Sequence, residues 1–189
     1  VTRVTGIIGT RCSEFTSRDL SMVIWSCATL GIPLEQRFYD RLSMAVQERI
    51  RTFNPQDLAN TTWAVATLHK RTAKLKPELV SSLVSCVELQ VAKFKPMELA
   101  TTAWAFAVLD TGSHALFAKL SNLAQQHMES FKPKELAKIA WSFAKRNHRD
   151  HQLFTQISQV AQIRIRALNS QDLAMLTWAF ATLDIKDRE

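Results

Sequence analysis

Five tryptophans, Trp25, Trp63, Trp104, Trp141 and Trp178, recur along the chain at intervals of 38, 41, 37 and 37 residues. An indole returning so regularly suits one of two roles: a platform on which nucleobases stack, or a spine that packs a repeated core. Basic residues gather between the indoles, at His69-Lys70-Arg71 with Lys74 and Lys76, and at Lys145-Arg146 with His148 and Arg149. Such clusters suit phosphate contacts as well as plain solvation. His148, Asp150 and His151, or His114 with His127, carry metal-ligand atoms, but a third or fourth ligand at useful spacing is missing from the sequence. A solvated loop is the expectation there, with no metal and no cofactor. No nucleophile, base and orienting acid recur together and there is no glycine-rich phosphate loop, so the chain is expected not to be an enzyme.

The elements that must position these residues follow from composition and repeat. With 189 residues, 47% of them apolar, the chain has material for a real core. Four Gly, five Pro and a single Tyr leave few hairpin signals and favour helix over strand. A net charge of +7 suits an acidic partner: nucleic acid, an anionic surface or an acidic protein. Cys12, Cys27 and Cys86 are odd in number and far apart, which reads as small apolar fillers in a reducing compartment, without disulfide or zinc. No apolar run is long enough to span a bilayer, so no membrane insertion is expected. The sequence starts at Val1 with no clear signal or transit peptide, so any targeting segment is expected to have been removed or never included.

Five segments align: FTSRDLSMVIWSCATL from Phe15, FNPQDLANTTWAVATL from Phe53, FKPMELATTAWAFAVL from Phe94, FKPKELAKIAWSFAKR from Phe131 and LNSQDLAMLTWAFATL from Leu168. With the Phe or Leu as position 1, Pro55, Pro96 and Pro133 at position 3 suit the first turn of a helix. Position 5 is always acidic (Asp19, Asp57, Glu98, Glu135, Asp172), which favours the positive helix N-terminus, and Thr16, Asn54 and Asn169 are placed to cap. Lys95 and Lys132 cannot cap in that way. Apolar residues at positions 6, 7, 10, 11, 13 and 14 share one broad face, so the tryptophans at position 11 read as structural core.

A second amphipathic helix is predicted in each complete copy: 33–51, 77–93, 114–130 and 150–167. Two short helices cannot bury their faces alone, so neighbouring copies must stack. The predicted fold is all-α: a right-handed alpha-alpha superhelix of tandem helix pairs with repeats of about 37–41 residues. An N-terminal segment, 1–14, is expected to be irregular, and the solenoid covers 15–189, with copies 15–52, 53–93, 94–130, 131–167 and a truncated 168–189. The last copy stops after its first helix, so further chain or another subunit is expected to cover its apolar face.

FNPQDLANTTWAVATL and FKPMELATTAWAFAVL closely resemble octotricopeptide repeats and the related heptatricopeptide units, over a stretch from Phe15 to about Leu183. That resemblance implies a helical-repeat protein of a mitochondrion or chloroplast that binds single-stranded RNA. It further implies support of RNA stability, processing or translation, with some relatives acting as fixed parts of large assemblies such as the mitochondrial ribosome, where the ligand is rRNA.

Opposite the expected core face lie positions 5, 8, 9, 12 and 15 of the first helix, the surface where a ligand would sit. Small residues at position 12 would open a groove while positions 8 and 9 discriminate bases, roughly one per repeat. The base-facing candidates are Asn60, Thr61, Thr101, Thr102, Lys138 and Ser142; the alternative is that neighbouring helices fill positions 9 and 12 and position 8 faces water. The acidic row at position 5 would repel RNA backbone, so phosphate contacts are assigned to Lys70, Arg71, Lys74, Lys76, Lys145, Arg146 and Arg149. The competing function is a non-catalytic scaffold for protein subunits of a large organellar complex, joined above all at the uncovered C-terminal end.

Overall fold

The computed structural model describes residues 2–31, 34–71 and 76–185, apart from the side chains of residues 2–5 and 71. Ten α-helices and no strand occur among them. The chain divides into two compact units, 1–90 and 91–189. The first holds α1 (Thr2–Arg11), α2 (Ser17–Leu30), α3 (Gln36–Arg49), α4 (Pro55–Arg71) and α5 (Pro77–Gln90). The second holds α6 (Pro96–Val108), α7 (His114–Gln126), α8 (Pro133–Lys145), α9 (His151–Ile163) and α10 (Ser170–Leu183). The expectation of an irregular 1–14 segment is corrected: α1 and a 3₁₀ turn, Cys12–Glu14, occupy it, and α1 packs against α3.

Each repeat opens in the same way. A 3₁₀ turn (Cys12–Glu14, Ile50–Thr52, Val91–Lys93, Met128–Ser130, Ile165–Ala167) precedes position 1, whose N–H donates to the carbonyl three residues back at 3.0–3.3 Å. The tighter turn ends the preceding helix and lets the chain reverse. It is also why the second helices stop short of their predicted ends at 51, 93, 130 and 167; the predicted start at Pro33 lies outside the described residues.

The first helix then begins with its acid in service. Asp19 accepts from the Thr16 N–H at 2.9 Å, Glu98 from Lys95 at 2.7 Å, Glu135 from Lys132 at 2.9 Å and Asp172 from Asn169 at 3.3 Å. Asn54 and Asn169 return the bond through their side chains to Asp57 and Asp172, whereas the lysines supply no side-chain acceptor. Phe53, Phe94 and Phe131 at position 1 and Leu58, Leu99 and Leu136 at position 6 are all buried, the places of a hydrophobic staple.

The first helix ends in a left-handed residue at position 17. It is Gly31, Asp110, Asn147 or Asp184, with φ between 51° and 64°. In α6, α8 and α10 the following N–H reaches back to the position 13 carbonyl at 2.9–3.1 Å, as in a Schellman closure. The second copy has His69 at this position, and α4 runs on to Arg71, which lengthens that repeat and accounts for the interval of 41.

Within each unit the first helices form one layer and the second helices another. In unit 1, α2 packs on α4, and in unit 2, α8 packs between α6 and α10. Fully buried alanines, among them Ala64, Ala66, Ala103, Ala105, Ala137 and Ala140, allow that close approach. The second helices α3 with α5, and α7 with α9, lie behind and contribute Leu42, Leu83, Phe117 and Phe154 to the core. Each such large apolar side chain contributes about 1.5–3 kcal/mol by leaving water. Cys12, Cys27 and Cys86 are buried free thiols.

In three of the four complete repeats a side chain at the end of the second helix ties back to the turn that opened the repeat. Arg49 donates to the Ser13 carbonyl at 2.7 Å and Gln90 to the Phe53 carbonyl at 3.1 Å. Arg164 forks to the Phe131 and Glu129 carbonyls, both at 2.7 Å. All three stand four residues before position 1 of the next copy.

Candidate nucleic-acid interface

In the second unit α8 is closed on three sides, by α6, by α10 and by the second-helix layer. Only positions 4, 8, 11 and 15 stay open, and at 100° per residue they span an arc of about 60°. The five open strips read Arg18-Met22-Trp25-Thr29, Gln56-Asn60-Trp63-Thr67, Met97-Thr101-Trp104-Val108, Lys134-Lys138-Trp141-Lys145 and Gln171-Met175-Trp178-Thr182, each residue exposed or half-buried.

Position 11 lies at one edge of that arc, so no tryptophan is fully buried and the assignment of all five to the core is corrected. Trp25 and Trp178 are each 43% exposed, and Trp63, Trp104 and Trp141 are half-buried. Two pairs of indoles meet on neighbouring first helices: Trp25 and Trp63 have ring centroids 6.4 Å apart with planes tilted by 38°, and Trp141 and Trp178 are 6.1 Å apart at 32°. The sequence pattern placed them inside because it assumed one buried and one open face. A helix enclosed on three sides has a narrower open arc, and position 11 falls in it.

The predicted base-facing residues divide accordingly. Asn60, Thr101 and Lys138 at position 8 lie on the open strip. Thr61, Thr102 and Ser142 do not: all three are fully buried, and Ser142 donates to the Lys138 carbonyl of its own helix at 2.5 Å. Fully buried side chains of this kind pack inside the fold and cannot meet a ligand. Burial, followed by the nearby Lys134, holds the Lys138 ammonium below the ordinary lysine range. Sequence reasoning missed position 4 entirely; Arg18, Gln56, Met97, Lys134 and Gln171 are all exposed there.

The acidic row does not face the strip as a band of free charge. Asp57, Glu98 and Asp172 are buried at the helix N-termini, and only Asp19 is exposed. The Thr16 hydroxyl and N–H hold Asp19 below the usual carboxylate range, whereas burial pushes Asp57 above it against the Asn54 N–H.

Among the predicted phosphate contacts, two are corrected to structural roles. Lys76 pairs with Asp40 at 2.9 Å, and Arg146 pairs with Asp110, donates to the Gly112 carbonyl and lies over the Phe117 ring. Lys145 and Arg149 are exposed, as is Lys70. Lys74 and the Arg71 side chain lie outside the described residues.

The histidines do not assemble a metal cluster: among the described residues no group of three or more His, Cys, Asp or Glu is placed to hold an ion. Asp150 caps α9 through the Leu153 N–H at 3.0 Å and accepts from Ser121 at 2.5 Å. His148 is buried against His114, ring centroids 4.3 Å apart, and against Phe143 at 5.4 Å.

At the far side of α10, Leu173, Ala174, Thr177 and Ala181 are exposed where the matching residues of α8 are covered. Leu173, Thr177 and Ala181, with Ile165 and Phe180, border a groove of about 440 Å³ between α9 and α10. No helix among the described residues is long and apolar enough to cross a membrane.

Stacked helix pairs that hold a repeated polar and aromatic strip open to solvent define a helical-repeat binding protein. The chain belongs to the RNA-editing substrate-binding complex 6 protein family, whose model matches residues 3–188. The match associates the repeat with RNA; the octotricopeptide relation remains a resemblance of its motif. No curated protein matches the chain.

Proposed function

We propose that this protein is a non-catalytic, RNA-binding helical-repeat component of an RNA-editing substrate-binding complex, holding single-stranded RNA along the open strips of its first helices. The observation that carries this reading is the strip itself: within a family named for binding RNA-editing substrates, the one face left open by the stack presents indoles and a residue at position 8 that varies from copy to copy. Complexes of that name are associated with mitochondrial RNA editing, so of the two organelles implied by the repeat resemblance we retain the mitochondrion. Stability, processing or translation of an organellar RNA, or seating on rRNA, are finer roles that the octotricopeptide likeness would add.

A random single-stranded RNA pool, selected at several salt concentrations, tests the proposal. Affinity is expected to fall with salt at a slope of about 0.7 per phosphate contacted. Asn60→Ala with Thr101→Ala is expected to change the selected motif, while Arg149→Gln lowers affinity for all sequences alike. Absence of binding at low salt refutes the reading. A second reading, a scaffold for protein neighbours in the same complex, is favoured by the apolar groove between α9 and α10.

A further inference from the structure

We infer that α8 and α10 of the second unit carry a sequence-tolerant anchor for single-stranded RNA, in which Trp141 and Trp178 stack bases and Lys134, Lys138 and Lys145 hold the adjoining phosphates. The inference rests on the RNA-binding reading above and assigns it to particular residues. Four observations lead to it.

First, positive charge is concentrated on one strip. The α8 strip has lysine at three of its four positions, with the indole between them, whereas the other four strips have one basic residue in total, Arg18. Lys134, Lys138, Trp141 and Lys145 are spaced i, i+4, i+7, i+11 and so follow one another along a single helical line.

Second, those lysines are not in use within the protein. Among the described residues none of the three joins an ion pair. The nearest acid in sequence, Glu135, is turned to the Lys132 N–H. Lys138 is half-buried, and its ammonium is disfavoured by that burial and by Lys134. A phosphate brought to this line would offset both effects by its opposite charge.

Third, the indoles are placed for stacking. Trp141 and Trp178 stand 6.1 Å apart on neighbouring helices, and Trp178 is nearly half exposed. A base that stacks on such a face contributes affinity whatever its identity, because every base presents a π-surface.

Fourth, charge complementarity selects the occupant. An exposed tryptophan pair alone would equally suit a protein partner, since tryptophan is enriched in protein hot spots. Three unpaired lysines on the same line select a polyanion.

The test uses the whole chain with fluorescein-labelled U12 and A12 oligonucleotides, at low and moderate salt. RNA is expected to quench the intrinsic tryptophan emission. Trp141→Leu with Trp178→Leu is expected to weaken binding of both oligonucleotides by tenfold or more. Trp141→Phe, which keeps an aromatic face, should restore most of that affinity. Lys134→Gln, Lys138→Gln and Lys145→Gln together should lower the salt slope by about 2, three contacts at about 0.7 each.

Far-UV circular dichroism checks that each variant is folded, and the wild-type quenching and the lysine series stand even if the double tryptophan variant is not. If wild-type protein binds neither oligonucleotide at low salt, the RNA-binding reading itself fails. If it binds both while tryptophan emission and the double-variant affinity stay unchanged, RNA-binding survives and this anchor is refuted, leaving the indoles to a protein neighbour.

Discussion

Replacing Arg164 by alanine tests the way each repeat is closed. Its guanidinium forks to the Phe131 and Glu129 carbonyls at 2.7 Å and also reaches the Glu129 carboxylate at 3.1 Å. Hydrogen bonds to charged groups contribute about 1.5–3 kcal/mol each when shielded. The Arg164 side chain is 30% exposed, so about 1 kcal/mol for each carbonyl bond is the fitting scale. The carboxylate contact adds about 0.5 kcal/mol or less, because Glu129 is 77% exposed.

Arg164→Ala is therefore expected to cost about 2 kcal/mol, and Glu129→Ala about a quarter of that, since it leaves both carbonyl bonds in place. Urea unfolding followed by far-UV circular dichroism reads the difference. At an m-value of about 2 kcal/mol/M the arginine variant's midpoint falls by about 1 M. Arg164→Lys should recover only part of the loss, because an ammonium lacks the planar fork. Equal effects of Arg164→Ala and Glu129→Ala would refute the reasoning, since the exposed ion pair would then be all that the arginine supplies.

Two further outcomes follow from the same geometry. Glu98→Ala removes the acceptor for the Lys95 N–H and leaves α6 without any N-terminal cap; a loss of about 1 kcal/mol should appear as a drop of about 2–4 °C in Tm for a chain of this size. Burial, with His114 beside it, holds the His148 imidazole below the ordinary value of 6.5, with Asp150 pulling weakly the other way. Below pH 6.5 the unfolded chain therefore binds a proton that folded His148 resists, so the stability this residue supplies is present above that pH and is lost as pH falls. Urea midpoints measured between pH 7.5 and 5 should decline more steeply for the wild type than for His148→Phe, and parallel declines would contradict the assignment.

Much of the fold was legible because the repeat states its own phase. Position 3 proline, position 5 acid and the Leu at position 6 fixed where each first helix starts, and the α-helices begin there. The 3₁₀ turns were not legible, because Ile50-Arg51-Thr52 or Met128-Glu129-Ser130 continue the helical pattern and only the reversal at Phe53 or Phe131 makes the tighter turn necessary. The site was half legible. Asn60, Thr101 and Lys138 were found on the open side, whereas Thr61, Thr102 and Ser142 were misplaced, since their burial depends on tertiary packing that the periodicity of a single helix does not show. Tertiary packing likewise leaves Trp141 half-buried and Trp178 exposed rather than in the presumed core. Long-range ties such as Arg146 to Asp110, 36 residues apart, leave no mark in a linear pattern, so two basic connectors looked free that are not.

Each of the three ties from the end of a second helix closes on the turn that opened the same copy, about 35 residues earlier. With each copy counted from the first residue of its 3₁₀ turn, none of the three links one copy to the next. A whole copy can thus be duplicated, lost or exchanged in evolution without severing any of them, whereas an insertion or deletion inside a copy pulls the two ends of its tie out of register. Gln90, the last residue of the first unit, closes on Phe53 in this way, so the seam between the units falls where a copy has just been completed. The array carries its own punctuation, and recombination at the start of a 3₁₀ turn is the cut that leaves every sentence whole.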